Sequence, residues 1–303
     1  MTSTPQKIVE LSRRPVRIAA IHDEEWIEGD VCSDPKVYTA ALRQRRPLPD
    51  LFTFSRPLPE SAACFPYAFE MDNVAVANLG QGFTPWWEGL PQETRKNVRR
   101  SQRRGVTVST VSFDEKLVCA ISNIYNETPI RQGRKFWHYG KSIDAVRLEN
   151  ATYLGRAHFI AASFNGEMIG FIKLVKVNNL GRIMQIVSLD AHTDKRPTNA
   201  LLAKAIELCC ELRLSHLIYG KYVYGKKENS PVTEFKRRNG FERLNFPRYF
   251  VPLTVKGSIA LRCGLHRGVK SYIPENVLNL FLAARAAMYR RGASRLVAGV
   301  AQR

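Results

Sequence analysis

The chain has 303 residues, 45% of them hydrophobic and 24% charged, which favours a soluble globular protein of one large or two ordinary domains. Its 46 Lys and Arg residues against 27 Asp and Glu residues give a net charge of +19, which favours a polyanionic partner without identifying one. No apolar run is long enough for a signal peptide or a transmembrane helix, and the six cysteines include no C-x-x-C pair, so we expect a cytoplasmic protein with neither a disulfide framework nor a metal site.

The N-terminal part of the chain carries few clear signals. The first thirty residues are weakly patterned, and we expect part of them to be disordered. The pattern predicts a helix that begins near Pro35 and ends before Pro47. The stretch Tyr67–Leu79 alternates between apolar and polar residues, with a turn signal at Asp72 and Asn73, so it predicts a β-hairpin.

The most basic stretch is Trp86–Gly105. Pro91 at a first turn, Glu93 near the start and cations towards the end predict a helix whose charges are favourably placed relative to its dipole. Lys and Arg fill most positions from Arg95 to Arg104. These cations form either a solvated helix face or a track for phosphates, and the stretch alone does not decide between the two.

Cations and aromatic residues crowd into one predicted loop, Arg131–Ser142, which follows a predicted strand at Val106–Phe113 and a helix that ends before Pro129. Such a mixture suits the binding of an anionic or planar ligand. His138 could serve as a base, although a single histidine among aromatic residues is more often a packing residue. The candidate substrate-binding residues are Arg131, Arg134, His138, Tyr139, Lys141 and, further along the chain, Lys221.

The second half of the chain has the clearest pattern. Asn165 and Gly166 predict a hairpin between two strands, and a third strand, Ile183–Asp190, follows after a further turn. A long amphipathic helix, Thr198–Leu214, comes next, because its apolar residues recur with the helical period. Three antiparallel strands are therefore followed by a helix.

The loop Ala191–Pro197 joins this third strand to the helix. Unpaired amide N–H groups and the positive end of the helix dipole make such a junction a potential anion site, with an ordinary strand-to-helix turn as the alternative. Either Thr198 or Asn199 is expected to cap the helix. The candidate donor-binding residues are Lys195, Arg196, Thr198 and Asn199.

The residues after the helix predict a strand that ends in a cluster of tyrosines, with Tyr222 and Tyr224 on one strand face. A short helix closed by Gly240 and a last strand follow, so the predicted order is β-β-β-α-β-α-β. A basic amphipathic helix is predicted to start near Pro274, and it either packs on the domain or lies on a membrane surface.

This order of elements resembles the GNAT acyltransferase fold, and in more detail its Fem-type branch, the peptidoglycan-bridge aminoacyltransferases and their acyltransferase relatives. The resemblance extends from Phe83 to Thr254 and depends on the order of several short motifs. The motif residues are Trp87, Leu90, Arg95, Arg99, Gly105 and Val106, the hairpin FNGEMIGF, and Phe235, Lys236, Gly240 and Phe241. The resemblance implies an α/β fold with a mixed, mostly antiparallel sheet flanked by helices, in two related GNAT-like modules.

The domain organisation that this implies has four parts. We expect residues 1–82 to form an N-terminal region, partly irregular, that contributes to the first module, and residues 83–156 to complete that module with the basic helix. Residues 157–254 would form the GNAT-like acyltransferase module, and residues 255–303 a C-terminal helical extension. The sequence does not indicate an oligomeric state.

The resemblance implies transfer of an acyl or aminoacyl group from acyl-CoA or aminoacyl-tRNA to an amine, either on a cell-wall precursor or on a small molecule. Acetyl-CoA-using GNAT proteins carry glycines between the central strand and its helix, whereas the loop His192–Ala200 has none. Fem-type members also lack that glycine loop, and a net charge of +19 would suit tRNA. Lys195 and Arg196 could instead hold CoA phosphates by charge-assisted bonds, so the donor stays open.

Acyl transfer to an amine needs an unprotonated nucleophile, a dipole on the developing oxyanion and an acid for the leaving group. In the resembling fold, the central strand and the next one part around the acyl carbonyl, which would place a base on one side and a tyrosine on the other. The candidate catalytic residues are Asp190 and His192 as bases and Tyr219, Tyr222 and Tyr224 as acids. Much of the rate could instead come from positioning.

The competing function is that of a catalytically inactive RNA- or polyanion-binding protein. Its binding surface would be the basic helix Arg95–Arg104 and the loop Arg131–Lys141. A cleft where the two strands part, lined by Tyr219 to Tyr224 and reaching Lys195, favours the enzyme, and a filled cleft favours the binding protein.

Overall fold

The structure, a computed structural model, describes residues 7–13, 16–29, 32, 34–131, 134–225 and 228–267. Its strands are β1 (Ile8–Arg13), β2 (Val16–Ile21), β3 (Leu51–Ser55), β4 (Ala68–Asn78), β5 (Thr107–Val111), β6 (Ile130–Arg131), β7 (Arg134–Lys135), β8 (Ala157–Phe164), β9 (Glu167–Val177), β10 (Leu180–Ser188), β11 (His216–Ile218) and β12 (Glu242–Pro252). Its α-helices are α1 (Pro35–Arg43), α2 (Phe83–Gly89), α3 (Gln92–Arg103), α4 (Glu115–Tyr125), α5 (Ile143–Asn150), α6 (Pro197–Glu211), α7 (Pro231–Arg238) and α8 (Val255–Arg262). The helix predicted near Pro274 lies outside the described residues.

The chain folds as two compact units, each built from segments that are distant in the sequence. The first unit contains the described residues up to Ala75, those of 221–228 and those from Arg243 onward, and the second contains the described residues of 76–220 and 229–242. The domain boundaries predicted after residues 82, 156 and 254 divide the chain into consecutive segments. They stay a prediction. None of the described helices is both long enough and apolar enough to cross a bilayer.

The sheet of the first unit begins with β1, β2 and β3 and includes β12. β1 and β2 pair antiparallel, β2 and β3 pair parallel, and β3 and β12 pair antiparallel. The described residues near the N terminus include β1 and β2, which form a paired hairpin that the weak sequence pattern did not predict. Phe54 is buried on this sheet and stacks on Phe52 and Tyr249, with ring centroids 5.4 and 5.1 Å apart.

β4 is one continuous strand, so the hairpin predicted for Tyr67–Leu79 is wrong. Asp72 and Asn73, the residues that suggested a turn, form hydrogen bonds within the first unit instead. The Asp72 carboxylate accepts hydrogen bonds from Lys221 Nζ at 2.7 and 2.9 Å, and the Asn73 side chain accepts a hydrogen bond from the Val223 amide at 2.7 Å. Polar side chains that would suit a turn here bind a segment that is distant in the sequence.

The sheet of the second unit starts with the end of β4, which pairs with β11, and continues through β10, β9 and β8 to β5. The β10–β11 pair is parallel, and the other pairs of this sheet are antiparallel. The predicted hairpin is confirmed, with Asn165 and Gly166 at φ of 51° and 83° as a type I′ turn requires. The predicted order β-β-β-α-β-α-β is confirmed by the elements from β8 to β12.

Helices cover both faces of this second sheet. On β9, Gly170 and Phe171 are neighbours and therefore belong to opposite faces of the sheet, because Cβ directions alternate along a strand. Phe171 packs in a buried cluster with residues of α4 and α5, including Ile121 and Val146. An added Cβ at Gly170 would lie 3.2 Å from Leu201 of α6, so α6 lies closely against the other face.

The predicted helices are found, with one correction. α3 confirms the basic helix, and Gly105 just beyond it has a φ of 80°, a conformation that favours glycine. α6 begins at Pro197 rather than behind a cap at Thr198 or Asn199. Its first residue follows Arg196, which has a φ of 56° and whose side chain does not cap the helix. The fixed φ of proline suits a first helical position and replaces the side-chain cap.

Candidate active site

Strands β10 and β11 part within the second unit. They pair in parallel from Leu180 to Arg182, opposite His216 to Ile218, whereas β10 continues to Ser188. The β10 backbone beyond Arg182 therefore has no pairing with β11 in the part of the chain that the structure describes. This opening is where the sequence resemblance places the acyl carbonyl.

A cavity of about 590 Å³ lies at this parting. Its wall includes consecutive residues of β10, from Ile183 to Val187, and Tyr219, which directly follows β11. Other parts of the wall come from the ends of α4 and α5 and from the aromatic loop after β7. The polar and titratable side chains of the wall include Tyr125, His138, Glu149, Lys173, Gln185 and Tyr219.

Three of these side chains form a hydrogen-bonded row across the wall. The Tyr125 hydroxyl donates to Gln185 Oε1 at 2.6 Å, and Gln185 Nε2 donates to His138 Nε2 at 2.8 Å. Tyr125 and His138 also stack, with centroids 4.1 Å apart, and burial raises the pKa of Tyr125 to about 12. All three side chains are therefore neutral and fixed in orientation.

His138 faces a charged pair on its other side. Its Nδ1 lies 3.6 Å from Glu149 Oε2, while Glu149 Oε1 accepts a hydrogen bond from Lys141 Nζ. Lys141 in turn lies over the Trp137 ring, 3.6 Å from its centroid. Burial, together with the Lys141 charge, lowers the pKa of His138 from 6.5 to about 4. His138 is thus a buried, neutral histidine that lines the cavity.

The lowered pKa of His138 predicts acid sensitivity. The folded form of His138 binds its proton only near pH 4, whereas the unfolded chain binds it near pH 6.5. The unfolded chain therefore carries more protons between these values, and the free energy of unfolding should fall as the pH drops from 6.5 to 4, by up to about 3 kcal/mol from this residue. Urea unfolding at a series of pH values should show a shallower decline for His138→Gln than for the wild type, and equal declines would contradict the assignment.

Lys173 is a buried cation on β9 within the same wall. It is 1% exposed, and its Nζ donates to the Asn150 carbonyl at 2.9 Å and to the Thr152 hydroxyl at 2.8 Å. Burial lowers the pKa of Lys173 from 10.5 to about 8. None of the described carboxylates forms an ion pair with it. Sequence reasoning missed this residue, although a lysine inside the apolar run FIKLVKV was a visible signal.

Tyr219 joins the cavity to the motif shared with the resembling family. The ring of Tyr219 lies 4.4 Å from Lys236 Nζ and 5.7 Å from the Phe241 centroid. Lys236 is 1% exposed, and burial lowers its pKa to about 8. Gly240 has a φ of 75°, and an added Cβ at this position would lie only 2.6 Å from Trp86 Nε1, so the site favours glycine. Lys236 and Phe241 of the F-K-x-x-x-G-F motif therefore pack against Tyr219, where β10 and β11 part.

A buried ion pair holds the turn after β10. The Glu127 carboxylate accepts hydrogen bonds from the amides of Asp190 and Ala191 at 2.8 and 2.9 Å and from Arg131 at 2.8 Å. Arg131 also donates to the Ser188 carbonyl at 2.6 Å. Asp190 lies beside this pair, with its side chain 62% exposed and 3.7 Å from Arg131. Glu127 thus occupies amides at which the sequence suggested an external anion.

The other residues predicted for this junction lie along a 3₁₀ helix, Asp190–Lys195, and the start of α6. His192 packs against Phe164, with centroids 5.7 Å apart, and Lys195 Nζ lies 4.7 Å from the same ring. The Arg196 side chain is exposed. Thr198 shares a hydrogen bond with Ser188 at 3.0 Å, and Asn199 donates to Asn239 at 3.0 Å.

The tyrosine cluster is divided between the two units. Tyr219 belongs to the second unit, whereas Lys221, Tyr222 and Tyr224 belong to the first. The predicted strand is shorter than expected, because β11 ends at Ile218, so Tyr222 and Tyr224 do not share a strand face. Burial raises the pKa of Tyr224.

The predicted substrate-binding loop after α4 contributes Phe136, Trp137 and His138 to the cavity wall. Arg134 and Tyr139 are exposed instead. Tyr125 and Gln185, which complete the wall beside His138, were not identified from the sequence, since an apolar pattern does not show which tyrosine or glutamine faces a cavity. In the described part of the chain, no cluster of three His, Cys, Asp or Glu side chains could hold a metal ion.

Comparison with known proteins gives the class of the fold. No family model matches the sequence, and no curated protein matches it. Among solved structures, FemX is similar, with a TM-score of 0.59 at 9% identity over 84% of this chain and 85% of that one. The C-terminal domain of a putative lysylphosphatidylglycerol synthetase from Agrobacterium fabrum has a TM-score of 0.53 at 14% identity, over 84% of this chain and 83% of that one. The L-PGS of Bacillus licheniformis has a TM-score of 0.53 at 12% identity, over 85% of this chain and 83% of that one.

The chain therefore has a GNAT-like fold of the Fem type, with a large, mostly antiparallel sheet flanked by helices. The sequence motifs predicted this fold, and the comparison confirms it. At 9–14% identity, these likenesses concern the fold alone.

Proposed function

We propose that the chain is an N-acyltransferase that moves an acyl or aminoacyl group from acyl-CoA or aminoacyl-tRNA to an amine. The observation that supports this most is the open cavity where β10 and β11 part, lined by Tyr219. In the reaction, the amine nitrogen forms a bond to the acyl carbon and the bond from that carbon to the donor sulfur or oxygen breaks. The amine proton passes to a base, and the leaving group takes up a proton.

The roles proposed for the catalytic residues follow from this step. Asp190, exposed at the end of the β10 turn, or His192 accepts the amine proton directly or through water. Tyr219 protonates the leaving group, because it lines the cavity directly after β11. Tyr222 and Tyr224 stay as alternative acids. Backbone N–H groups of β10 beyond Arg182 that pair with neither β9 nor β11 supply dipoles for the developing oxyanion.

A transfer assay on the full chain tests this function. Mass spectrometry of ligands retained on the purified protein would first identify the donor class. The protein is then incubated with acyl-CoA thioesters or with aminoacylated tRNA, together with a panel of amines, and we expect a new amide product. Retention of RNA with no amide formed from either donor class would contradict the proposal and favour the binding protein.

The loop before α6 is proposed to hold the phosphates of the donor. Arg196 is exposed, and Lys195 lies beside it. Replacing both with Ala should weaken donor binding by about tenfold to a hundredfold, because charge-assisted hydrogen bonds to phosphate are lost. Calorimetry with the donor measures this, and Arg213→Ala, beyond the far end of the same helix, is the control. Unchanged affinity in the double variant would remove the loop from the site.

The basic helix α3 supports an alternative function, that of a non-catalytic RNA- or polyanion-binding protein. It would equally suit an enzyme whose donor is aminoacyl-tRNA. Lys96, Arg99 and Arg103 of α3 are exposed. Among the described residues, no carboxylate forms an ion pair with these three. Exposed cations in a row along one helix suit a phosphate backbone.

Salt dependence tests whether this helix contacts a polyanion. If it does, binding of tRNA should weaken steeply with salt, and replacing Lys96, Arg99 or Arg103 with Ala should each flatten the logarithmic slope by about one unit. Lys116→Ala changes an exposed lysine on α4 and serves as the control. Slopes that do not change in any of the three variants would show that α3 is only a solvated surface.

A further inference from the structure

Lys173 has surroundings that are unusual for a lysine. It lies in the middle of β9, between the buried residues Ile172 and Leu174, and it is 1% exposed. Its two hydrogen-bond acceptors, the Asn150 carbonyl and the Thr152 hydroxyl, are both neutral. An ammonium group has three N–H donors, so two acceptors leave one donor for another partner.

The charge of Lys173 is not compensated within the described residues, since no ion pair joins it to any of their carboxylates. Glu149, the carboxylate that shares the cavity wall, is paired with Lys141 instead. The Phe159 ring, 5.7 Å away, contributes a weak cation–π contact. With its pKa lowered to about 8, Lys173 is still mainly a cation at neutral pH, and a buried cation without a counter-ion is costly. A negatively charged ligand would remove this cost.

We propose that Lys173 binds a carboxylate of the acceptor, so that the acceptor is an amine that also carries a carboxylate, such as an α-amino acid or a short peptide. This proposal rests on the acyltransferase function proposed above and specifies its acceptor. Lys173 and Tyr219 line the same cavity, which places the carboxylate and the parted strands within one site.

The cavity suits a carboxylate better than a phosphate. One ammonium compensates one negative charge, and a phosphate dianion would keep a second charge in a largely apolar wall. The apolar part of that wall includes Trp137, Ile183 and Val187. Such residues suit an apolar side chain on the same acceptor.

A binding experiment without donor tests the proposal directly. The probes are N-acetyl-L-phenylalanine and its primary amide, which differ in the carboxylate and resemble the product of transfer to an amino acid. Calorimetry at pH 7 with the full chain should show at least tenfold tighter binding of the carboxylate, as expected for one charge-assisted contact. Lys173→Met should bind both probes equally, whereas Lys176→Met, which changes an exposed lysine of the same strand, should keep the preference.

Equal affinity of the wild type for the two probes, or an unchanged preference in Lys173→Met, would overturn the proposal. If Lys173→Met does not fold, the pH dependence of binding to the wild type decides instead. The preference for the carboxylate over the amide should fall as the pH rises from 7 to 9, because the pKa of Lys173 is about 8, and an unchanged preference over that range would also overturn the proposal. The binding experiment contains no donor, so its outcome is independent of the transfer assay. A preference for the carboxylate probe can hold even if no transfer is detected. Transfer to amines without a carboxylate can likewise succeed even if the preference is absent.

Discussion

Arg131→Met should lower the free energy of unfolding by about 3–5 kcal/mol, because it removes one partner of an ion pair that is largely buried. The side chains of Arg131 and Glu127 are only 14% and 19% exposed. The substitution would leave Glu127 without a counter-ion and the Ser188 and Ile124 carbonyls without their donor. Urea unfolding of the variant and the wild type measures the difference.

A matched control is available on the surface of the same unit. Arg147 donates to both carboxylate oxygens of Glu115, but the two side chains are 39% and 69% exposed. Arg147→Met should change the unfolding midpoint far less than Arg131→Met, because solvent screens an exposed pair. Similar losses in the two variants would mean that Arg131 does not hold the turn after β10 by its buried contacts.

Tyr219→Phe should lower kcat by about 10²–10⁴-fold, the usual contribution of a general acid, while donor binding stays nearly unchanged. The substitution keeps the ring that packs on Phe241 and lies beneath Lys236, and it removes the hydroxyl that would protonate the leaving group. Steady-state kinetics with a verified donor and amine measures kcat, and calorimetry with the donor alone measures binding.

Variants of the alternative acids and the proposed base separate these roles. Tyr222→Phe and Tyr224→Phe test the tyrosines of the first unit, and Asp190→Asn and His192→Ala test the two proposed bases. Tyr67→Phe, which changes a tyrosine packed edge-on against Phe54 in the first unit, is the control. If all the site variants keep full turnover, the acid and base assignments are wrong and catalysis depends on positioning.

The hairpin at Asn165 and Gly166 and the basic helix α3 show what local patterns can predict. Both depend on residues that are neighbours in the chain, namely a two-residue turn and a periodic distribution of charge. The hairpin predicted at Asp72 and Asn73 failed for a related reason. Those side chains hydrogen-bond to Lys221 and Val223, which are distant in the sequence, and no local pattern reports such a contact.

The candidate site was predictable only in part. His138 and Tyr219 were identified from the sequence because they stand in an aromatic loop and after a predicted strand. Tyr125 and Gln185 were missed, because each has the expected pattern of its own helix or strand. Their role depends on the hydrogen bond between α4 and β10, which are 60 residues apart at that contact.

By itself, the sequence determined the order of the strands and helices and, through the order of short motifs, the GNAT-like fold, because periodicity and turn residues act over a few neighbouring positions. The tertiary structure alone decided that β10 and β11 part after Arg182, that Lys173 is buried beside the opening without a counter-ion among the described residues, and that Glu127 occupies the amides after β10. These features require contacts between residues that are distant in the chain. The local pattern specifies which face of an element is buried, and the packing of elements decides which side chains meet there.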